Sequence, residues 1–110
     1  MIYDQLLTIY DLDKTSPALK RRLVPRASCF YGEKELFAAR FYQAMQAGQR
    51  VDKLCELWRA PICADQFAVL TDKLVYRVVQ AQHGFNADGL PITTLTLRRE
   101  EVEYELQNNS

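Results

Sequence analysis

Apolar and polar positions alternate in short runs along most of this chain, and clusters of Gly, Pro, Asn and Asp separate the runs. Runs rich in β-branched and aromatic residues between such clusters are typical of β-strands. The pattern predicts extended segments at residues 6–10, 19–31, 51–59, 67–70, 74–80 and 92–97. Pro25 lies inside the second segment and cannot donate a ladder hydrogen bond, so we expect an edge position, a bulge or a break there.

The connections between these segments differ in character. Thr71-Asp72-Lys73 predicts a tight turn that joins two short strands into the clearest hairpin of the chain. Residues 83–91 hold two glycines and an Asp-Gly pair, and they predict a loop. Residues 98–106 alternate apolar side chains with acids, which suits an exposed strand extension or an arm.

One segment has a helical pattern. Residues 33–47 are rich in helix formers and contain no proline or glycine, and Gly48 follows where a helix would end. The apolar residues at i, i+4, i+7 and i+8 form a predicted core face: Phe37, Phe41, Ala44 and Met45. We therefore predict a mainly β fold with one α-helix: a small β-barrel or sandwich of five to six short strands, with a helix at about 33–47 packed against it.

Length and composition indicate one globular domain. The chain has 110 residues, and we expect a single domain over residues 1–106 with a disordered tail at 107–110. Its net charge is zero, which argues against a dedicated nucleic-acid binder. The chain opens without a signal-peptide pattern and holds no apolar run near the roughly 20 residues of a membrane span. We expect a cytoplasmic protein whose three cysteines are reduced.

No motif in the chain predicts catalysis. His83 is the only histidine, and nothing in the spacing of Cys29, Cys55 and Cys63 selects a partner for it. Phosphate loops, nucleophile elbows and ordered metal-ligand spacings are missing from the sequence. We expect no enzyme, no metal and no cofactor.

The most polarised feature is a basic cluster formed by Arg21, Arg22 and Arg26, with Lys20 beside it. One interpretation is a solvated strand edge that discourages edge-to-edge pairing. The other is contact with phosphates or with an acidic partner. We interpret the aromatic residues, Trp58 and Tyr76 among them, as core rather than as a stacking platform for bases.

A family resemblance adds what these patterns cannot. The segment 41–48 (FYQAMQAG) resembles the helix end of the head-tail connector proteins of long-tailed phages and prophages, which are also called head-closure, head-tail adaptor or head-tail joining proteins. In that family a strand ending in Arg follows, as in residues 51–59, and then a short strand, a turn and a Tyr-containing strand, as in 67–79. The chain then closes on a Leu-x-Leu strand, as in 95–97. The resemblance covers about residues 27–100.

The resemblance implies a structural protein of the phage neck. Such proteins form a ring, possibly of twelve copies, between the portal and the tail, where they close the head and extend the DNA channel. It implies a portal-side connector and tail-side proteins as partners, proximity to DNA in the channel, no membrane, and the bacterial cytoplasm as the location before assembly.

The resemblance also suggests which residues of this chain do the joining. The candidate joining loops are residues 12–26 and 83–91, and residues 100–106 are the candidate arm. The named candidates are His83, Phe85, Asn86 and Asp88 for the second loop, and Arg21, Arg22 and Arg26 for channel or partner contacts. The alternative is a small cytosolic β-barrel that binds nucleic acid or a small ligand.

Overall fold

The fold is given by a computed structural model, which describes residues 2–15, 21–34, 51–102 and 104–106. In this part of the chain there are seven strands. They are β1 (Gln5–Leu12), β2 (Arg22–Lys34), β3 (Lys53–Trp58), β4 (Phe67–Val69), β5 (Val75–Phe85), β6 (Pro91–Arg99) and β7 (Glu105–Leu106). All seven belong to one sheet, in the order β1-β4-β5-β6-β3-β2-β7.

The first six strands close into an antiparallel barrel. Closure comes from β1, which pairs with β4 on one side and with β2 on the other. β7 is an additional strand that runs parallel to β2 and pairs with its first two residues. Barrel closure satisfies both edges of nearly every strand, so the barrel itself offers few open ladders for unwanted pairing.

The predicted mixture of strands with one helix is wrong for the described residues, which are all-β and contain no helix. Glu33 and Lys34, assigned to the helix start, continue β2 and pair with Cys55 and Leu54 of β3. Cross-strand pairing overrides the helix preference of these two residues, since local propensity is a weak prior. The rest of the predicted helix lies outside the described residues, including its core face of Phe37, Phe41, Ala44 and Met45.

Alternate positions of the strands fill the barrel interior, as the period of two requires. The largest fully buried side chains include Leu7, Tyr31, Leu57, Leu95 and Leu97. The prediction of a barrel is confirmed within the alternative of barrel or sandwich, with seven described strands instead of five to six.

Two β-bulges bend the barrel wall. In the β1–β2 pair, Ile9 faces Ala27 while the next residue, Tyr10, faces Pro25, so Arg26 is the extra residue. This confirms the expected irregularity at Pro25. In the β5–β6 pair, the register steps in the same way and leaves Val79 as the extra residue. Such bulges increase the local twist that a small barrel needs to close.

A polar cluster ties four segments together at one end of the barrel. The Nζ atom of Lys53 lies 2.9 Å from Oε1 of Glu33 and 3.2 Å from Oδ2 of Asp72. Tyr76 donates its hydroxyl proton to Oδ2 of Asp72 at 2.7 Å. Burial, followed by this bond and the charge of Asp72, raises the pKa of Tyr76 to about 12. The hydrogen bonds that Asp72 accepts outweigh its partial burial and lower its pKa.

Candidate functional site

An open cleft lies on the outer surface of the barrel, where β3 and β2 meet the β5–β6 hairpin. Its volume is about 540 Å³. The lining residues used below are Tyr3, Lys34, Glu56, Trp58, Phe85 and Leu90, and we call the site the aromatic cleft. β3 positions Glu56 and Trp58 on its outward-facing parity, opposite to the core residues Cys55 and Leu57.

Glu56 and Tyr3 hold the chain's first residues across the cleft. Glu56 is 8% exposed, and its Oε2 accepts the hydroxyl proton of Tyr3 at 2.6 Å, while its Oε1 lies 3.4 Å from Nζ of Lys34. The Tyr3 ring meets the Trp58 ring edge-on, with 5.0 Å between the ring centroids. Burial, and then the bond to the charged Glu56, raises the pKa of Tyr3 to about 12. The Tyr3 hydroxyl therefore stays protonated at neutral pH and donates its hydrogen bond to Glu56.

The opposite wall of the cleft is the β5–β6 hairpin. The guanidinium of Arg59 lies over the Phe85 ring at 5.0 Å from its centroid, and it donates a hydrogen bond to the carbonyl oxygen of Gly84. Within the turn, Oδ1 of Asn86 accepts the backbone N–H groups of Asp88 and Leu90, both at 2.9 Å. The Arg59 contacts and the hydrogen-bonded turn hold Phe85 in place, although its side chain is 67% exposed.

An apolar row crosses the barrel surface beside the cleft. Leu6 pairs with Phe30 across β1 and β2, and Trp58 pairs with Ile92 across β3 and β6. Between β2 and β3, the pair at this end of the ladder is Tyr31 with Leu57. Continuing the antiparallel register by one residue places Phe30 opposite Trp58. Leu6, Phe30 and Trp58 are 47%, 59% and 51% exposed. Ile92 is only 6% exposed and lies buried beside Trp58, so we call Leu6, Phe30 and Trp58 the apolar row.

The arrangement suits docking of a macromolecule better than chemistry or capture of a small ligand. Pockets for small ligands enclose most of the ligand surface, whereas the walls of this cleft, Trp58 and Phe85, are more than half exposed. Aromatic side chains and Arg are the residue types that supply most of the binding energy at protein interfaces. Glu56 already accepts bonds from Tyr3 and Lys34, so its charge is compensated within the chain.

The four residues predicted for the second joining loop, His83, Phe85, Asn86 and Asp88, do not all lie in a loop or in the cleft. His83 and Phe85 belong to β5 rather than to a loop, so the connection between the strands is limited to residues 86–90. Phe85, Asn86 and Asp88 line the aromatic cleft. His83 does not, and its Nδ1 lies 2.9 Å from Oγ1 of the buried Thr93.

The three arginines of the basic cluster do not form a bare positive patch. Nε of Arg26 donates to Oδ2 of Asp11, and Nη2 of Arg22 lies 3.7 Å from Oε1 of Glu105. Arg21 is exposed. The first joining loop, predicted at residues 12–26, is largely strand, because Leu12 ends β1 and β2 already begins at Arg22. Residues 16–20 lie outside the described part.

Sequence reasoning placed Trp58 in the core, and this is wrong, while Tyr76 is buried as predicted. The parity of β3 was the available signal, since Trp58 shares it with Glu56 and not with Leu57. Tyr3 was missed altogether, because it lies outside a strand and its role depends on Glu56, a partner 53 residues away. Periodicity carries no information on such a contact.

The described residues offer neither a metal site nor a membrane-spanning helix. Over residues 2–15, 21–34, 51–102 and 104–106, no group of three or more His, Cys, Asp and Glu side chains could hold a metal ion. Among the same residues no helix has the length and apolarity that a bilayer crossing demands. No protein-family model matches the chain, and no curated protein matches it.

Proposed function

We propose that this protein is a non-enzymatic structural subunit of a phage neck, which joins other neck proteins and further copies of itself between the portal and the tail. The identity of the partners rests on the resemblance of residues 27–100 to head-tail connector proteins. The small closed barrel is compatible with this role, because a rigid body can carry fixed docking surfaces. In this proposal the ring closes the filled head and extends its DNA channel.

The observation that carries the proposal is the exposed apolar surface formed by the apolar row and the aromatic cleft. Five of its side chains are about half exposed or more: Leu6, Phe30, Trp58, Phe85 and Leu90. A whole aromatic side chain has about 150–250 Å², so the three aromatic residues contribute on the order of 100 Å² each and the two leucines somewhat less. The sum of about 500 Å² lies at the upper end of the largest apolar patches on ordinary monomers, about 300–600 Å². A standard protein interface buries about 800 Å² per partner, so this surface would supply much of one.

The alternative of a nucleic-acid-binding barrel receives less support. Two of the three clustered arginines lie against carboxylates, Arg26 against Asp11 and Arg22 against Glu105. A phosphate would have to displace these carboxylates. The aromatic surface, in turn, is not interleaved with several lysines and arginines, as a platform for stacked bases would be.

The test is a gene deletion in the phage or prophage that carries this chain. We expect DNA-filled heads and separate tails to accumulate, and electron microscopy counts both. Complementation with the wild-type gene should restore joined particles. The double variant Trp58→Ala/Phe85→Ala should fail to restore them, because losing two aromatic anchors at an interface costs about 2 kcal/mol or more per anchor.

A matched control separates docking from folding. Gln82→Ala changes an exposed side chain on β5, the strand that carries Phe85, outside the cleft. It should complement fully, and circular dichroism should show all variants folded. Complete infectious particles after the deletion would overturn the proposed function.

A further inference from the structure

In the C-terminal arm, residues 100–106, the described residues Tyr104, Glu105 and Leu106 dock on the chain's own barrel. β7 pairs in parallel with β2, Glu105 beside Arg22 and Leu106 beside Leu23. The Glu105 N–H donates to the Arg21 carbonyl oxygen at 2.8 Å. Ahead of β7, the Tyr104 ring packs on the Phe67 ring with 5.1 Å between the centroids. These contacts define a seat on the barrel whose shape and polarity fit this arm.

The arm begins at a firm anchor. Glu100 donates its backbone N–H to the Val75 carbonyl oxygen at 2.9 Å, and its Oε1 lies 2.8 Å from Nε of Arg77 and 3.9 Å from Nη2 of Arg98. The carboxylate is 11% exposed. The Glu100–Arg77 contact is an ion pair without hydrogen-bond geometry, so the backbone bond to Val75 is the firmest tie between Glu100 and its own barrel.

Beyond the anchor, the described contacts of β7 with β2 are individually weak. Its two-residue ladder is parallel, the less stable pairing, and its ion pair spans 3.7 Å between side chains that are 45% and 54% exposed. Surface ion pairs of this kind add little. Val102 between anchor and seat is half exposed, and Leu106 at the end is 37% exposed. Release of the arm breaks this ladder, the Arg22–Glu105 ion pair and the packing of Tyr104 on Phe67.

An arm that leaves this seat finds an identical seat on every other copy of the chain. The contacts in cis and in trans are the same, so exchange costs almost nothing in enthalpy, and the concentration of neighbouring seats decides the outcome. The four steps from Glu100 to Tyr104 reach at most about 14 Å. The neighbour's seat must lie within that distance of the anchor, so exchange requires two barrels in direct contact.

We propose that neighbouring copies of this chain exchange their C-terminal arms, each β7 adding to β2 of the next barrel. The proposal rests on the proposed function in one respect, because ring assembly supplies the neighbour at high effective concentration. The seat on β2 matches the segment Tyr104–Leu106, so the segment that binds there in the exchanged form is Tyr104–Leu106 of a second copy. Exchange converts a weak surface contact between two barrels into a strand shared by both.

The test traps the arm by disulfide formation between two full-length variants. One carries Arg22→Cys and the other Glu105→Cys, and both carry Cys63→Ser to remove an exposed native thiol. Neither variant can form the bond within one chain, so a covalent heterodimer reports an arm seated in trans. The two are mixed, exchanged for hours across a concentration series, oxidised with oxidised glutathione and resolved on a non-reducing gel. In the matched control, Val102→Cys replaces Glu105→Cys, which puts the thiol on the same arm but out of register with Arg22.

Exchange predicts at least fivefold more heterodimer from the Arg22→Cys and Glu105→Cys mixture than from the control, rising with concentration. Heterodimer at the control level throughout would overturn the proposal. The double variant Arg22→Cys/Glu105→Cys serves as a reference at low concentration, where it should close within one chain. If it does not close, the arm does not occupy the seat at all, and the proposal fails as well.

The outcome is separable from that of the proposed function. Exchange in solution by a chain whose deletion leaves phage assembly intact would keep this inference and remove the neck assignment. If the chain is essential for joining heads to tails but its arms stay on their own barrels, the neck assignment would be kept and the arm exchange would be removed.

Discussion

Asp72→Ala tests whether the polar cluster holds the barrel end together. The carboxylate of Asp72 accepts hydrogen bonds from the Leu74 N–H at 2.9 Å, from the Tyr76 hydroxyl at 2.7 Å and from Nζ of Lys53 at 3.2 Å. Alanine removes the acceptor of all three and leaves Lys53 with Glu33 as its described carboxylate partner. The turn between β4 and β5 loses its side-chain cap at the same time.

The size of the effect follows from these three bonds. A hydrogen bond to a charged group contributes about 1.5–3 kcal/mol and a neutral one about 1 kcal/mol. The side chains of Lys53 and Asp72 are 26% and 29% exposed, so water takes over part of the loss. We expect the free energy of unfolding to fall by about 2–3 kcal/mol.

The stabilisation by Asp72 should also depend on pH, and the lowered pKa of its carboxyl group sets the direction of this dependence. Folding lowers the pKa of Asp72 below 3.8, so the charged carboxylate stabilises the fold above that pH. This contribution disappears as the pH falls through the lower, folded-state pKa, when Asp72 becomes protonated. The stability difference between wild type and Asp72→Ala should therefore be full at pH 7 and should shrink below pH 3.8.

Urea unfolding followed by Trp58 fluorescence measures both quantities. Asp88→Ala is the matched control, because Asp88 also lies in a turn beside β5 and is exposed. It should change stability by no more than about 0.5 kcal/mol. Equal losses for the two variants, or a difference between wild type and Asp72→Ala that is the same at pH 7 and pH 2.5, would refute the reasoning.

Two further changes probe the cleft and the core. Tyr3→Phe keeps the ring against Trp58 but removes the hydroxyl that Glu56 accepts at 2.6 Å; we expect urea unfolding to show a loss of about 1 kcal/mol, and an unchanged midpoint would mean that this bond contributes nothing. Leu95→Ala empties a fully buried position of β6; thermal and urea unfolding should show a loss of about 2–5 kcal/mol, and a loss under 1 kcal/mol would mean that the interior is not packed around this side chain.

The local sequence pattern was sufficient to predict a strand pair wherever the strand is short and its partner is the next strand in the chain. The turn at Thr71-Asp72-Lys73 predicted the β4–β5 hairpin, and the structure confirms it, with the Lys73 N–H bonded to the Leu70 carbonyl at 3.0 Å. The early end given to β5 shows the limit of this reasoning. The strand was predicted to end at Gln80 and the loop to begin at His83, but residues 81–85 are drawn into the sheet by pairing with the strongly β-forming β6.

The candidate site depended on contacts that sequence patterns do not report. Phe85 was singled out for its loop, yet its position is set by Arg59, which lies 26 positions earlier in the chain. The helix preference of Glu33 and Lys34 is real in isolation, but pairing with β3 overrides it. The residues of the basic cluster were identified correctly as charged and close together, while their neutralisation by Asp11 and Glu105 required the fold.

The order of strands around the barrel also determines when the barrel can close during translation. β6 stands between β5 and β3, and it is the last of the six barrel strands to be made. Until about residue 99 has left the ribosome, β3 and β5 each lack one neighbour, and the nascent chain can form only one open sheet of five strands, β5-β4-β1-β2-β3, whose inner apolar face is uncovered. Completion must then wait for the pairing of β6 with β3, whose partners are distant in sequence and therefore pair slowly. A cell that makes many copies at once would therefore hold open sheets whose free strand edges and apolar faces invite association.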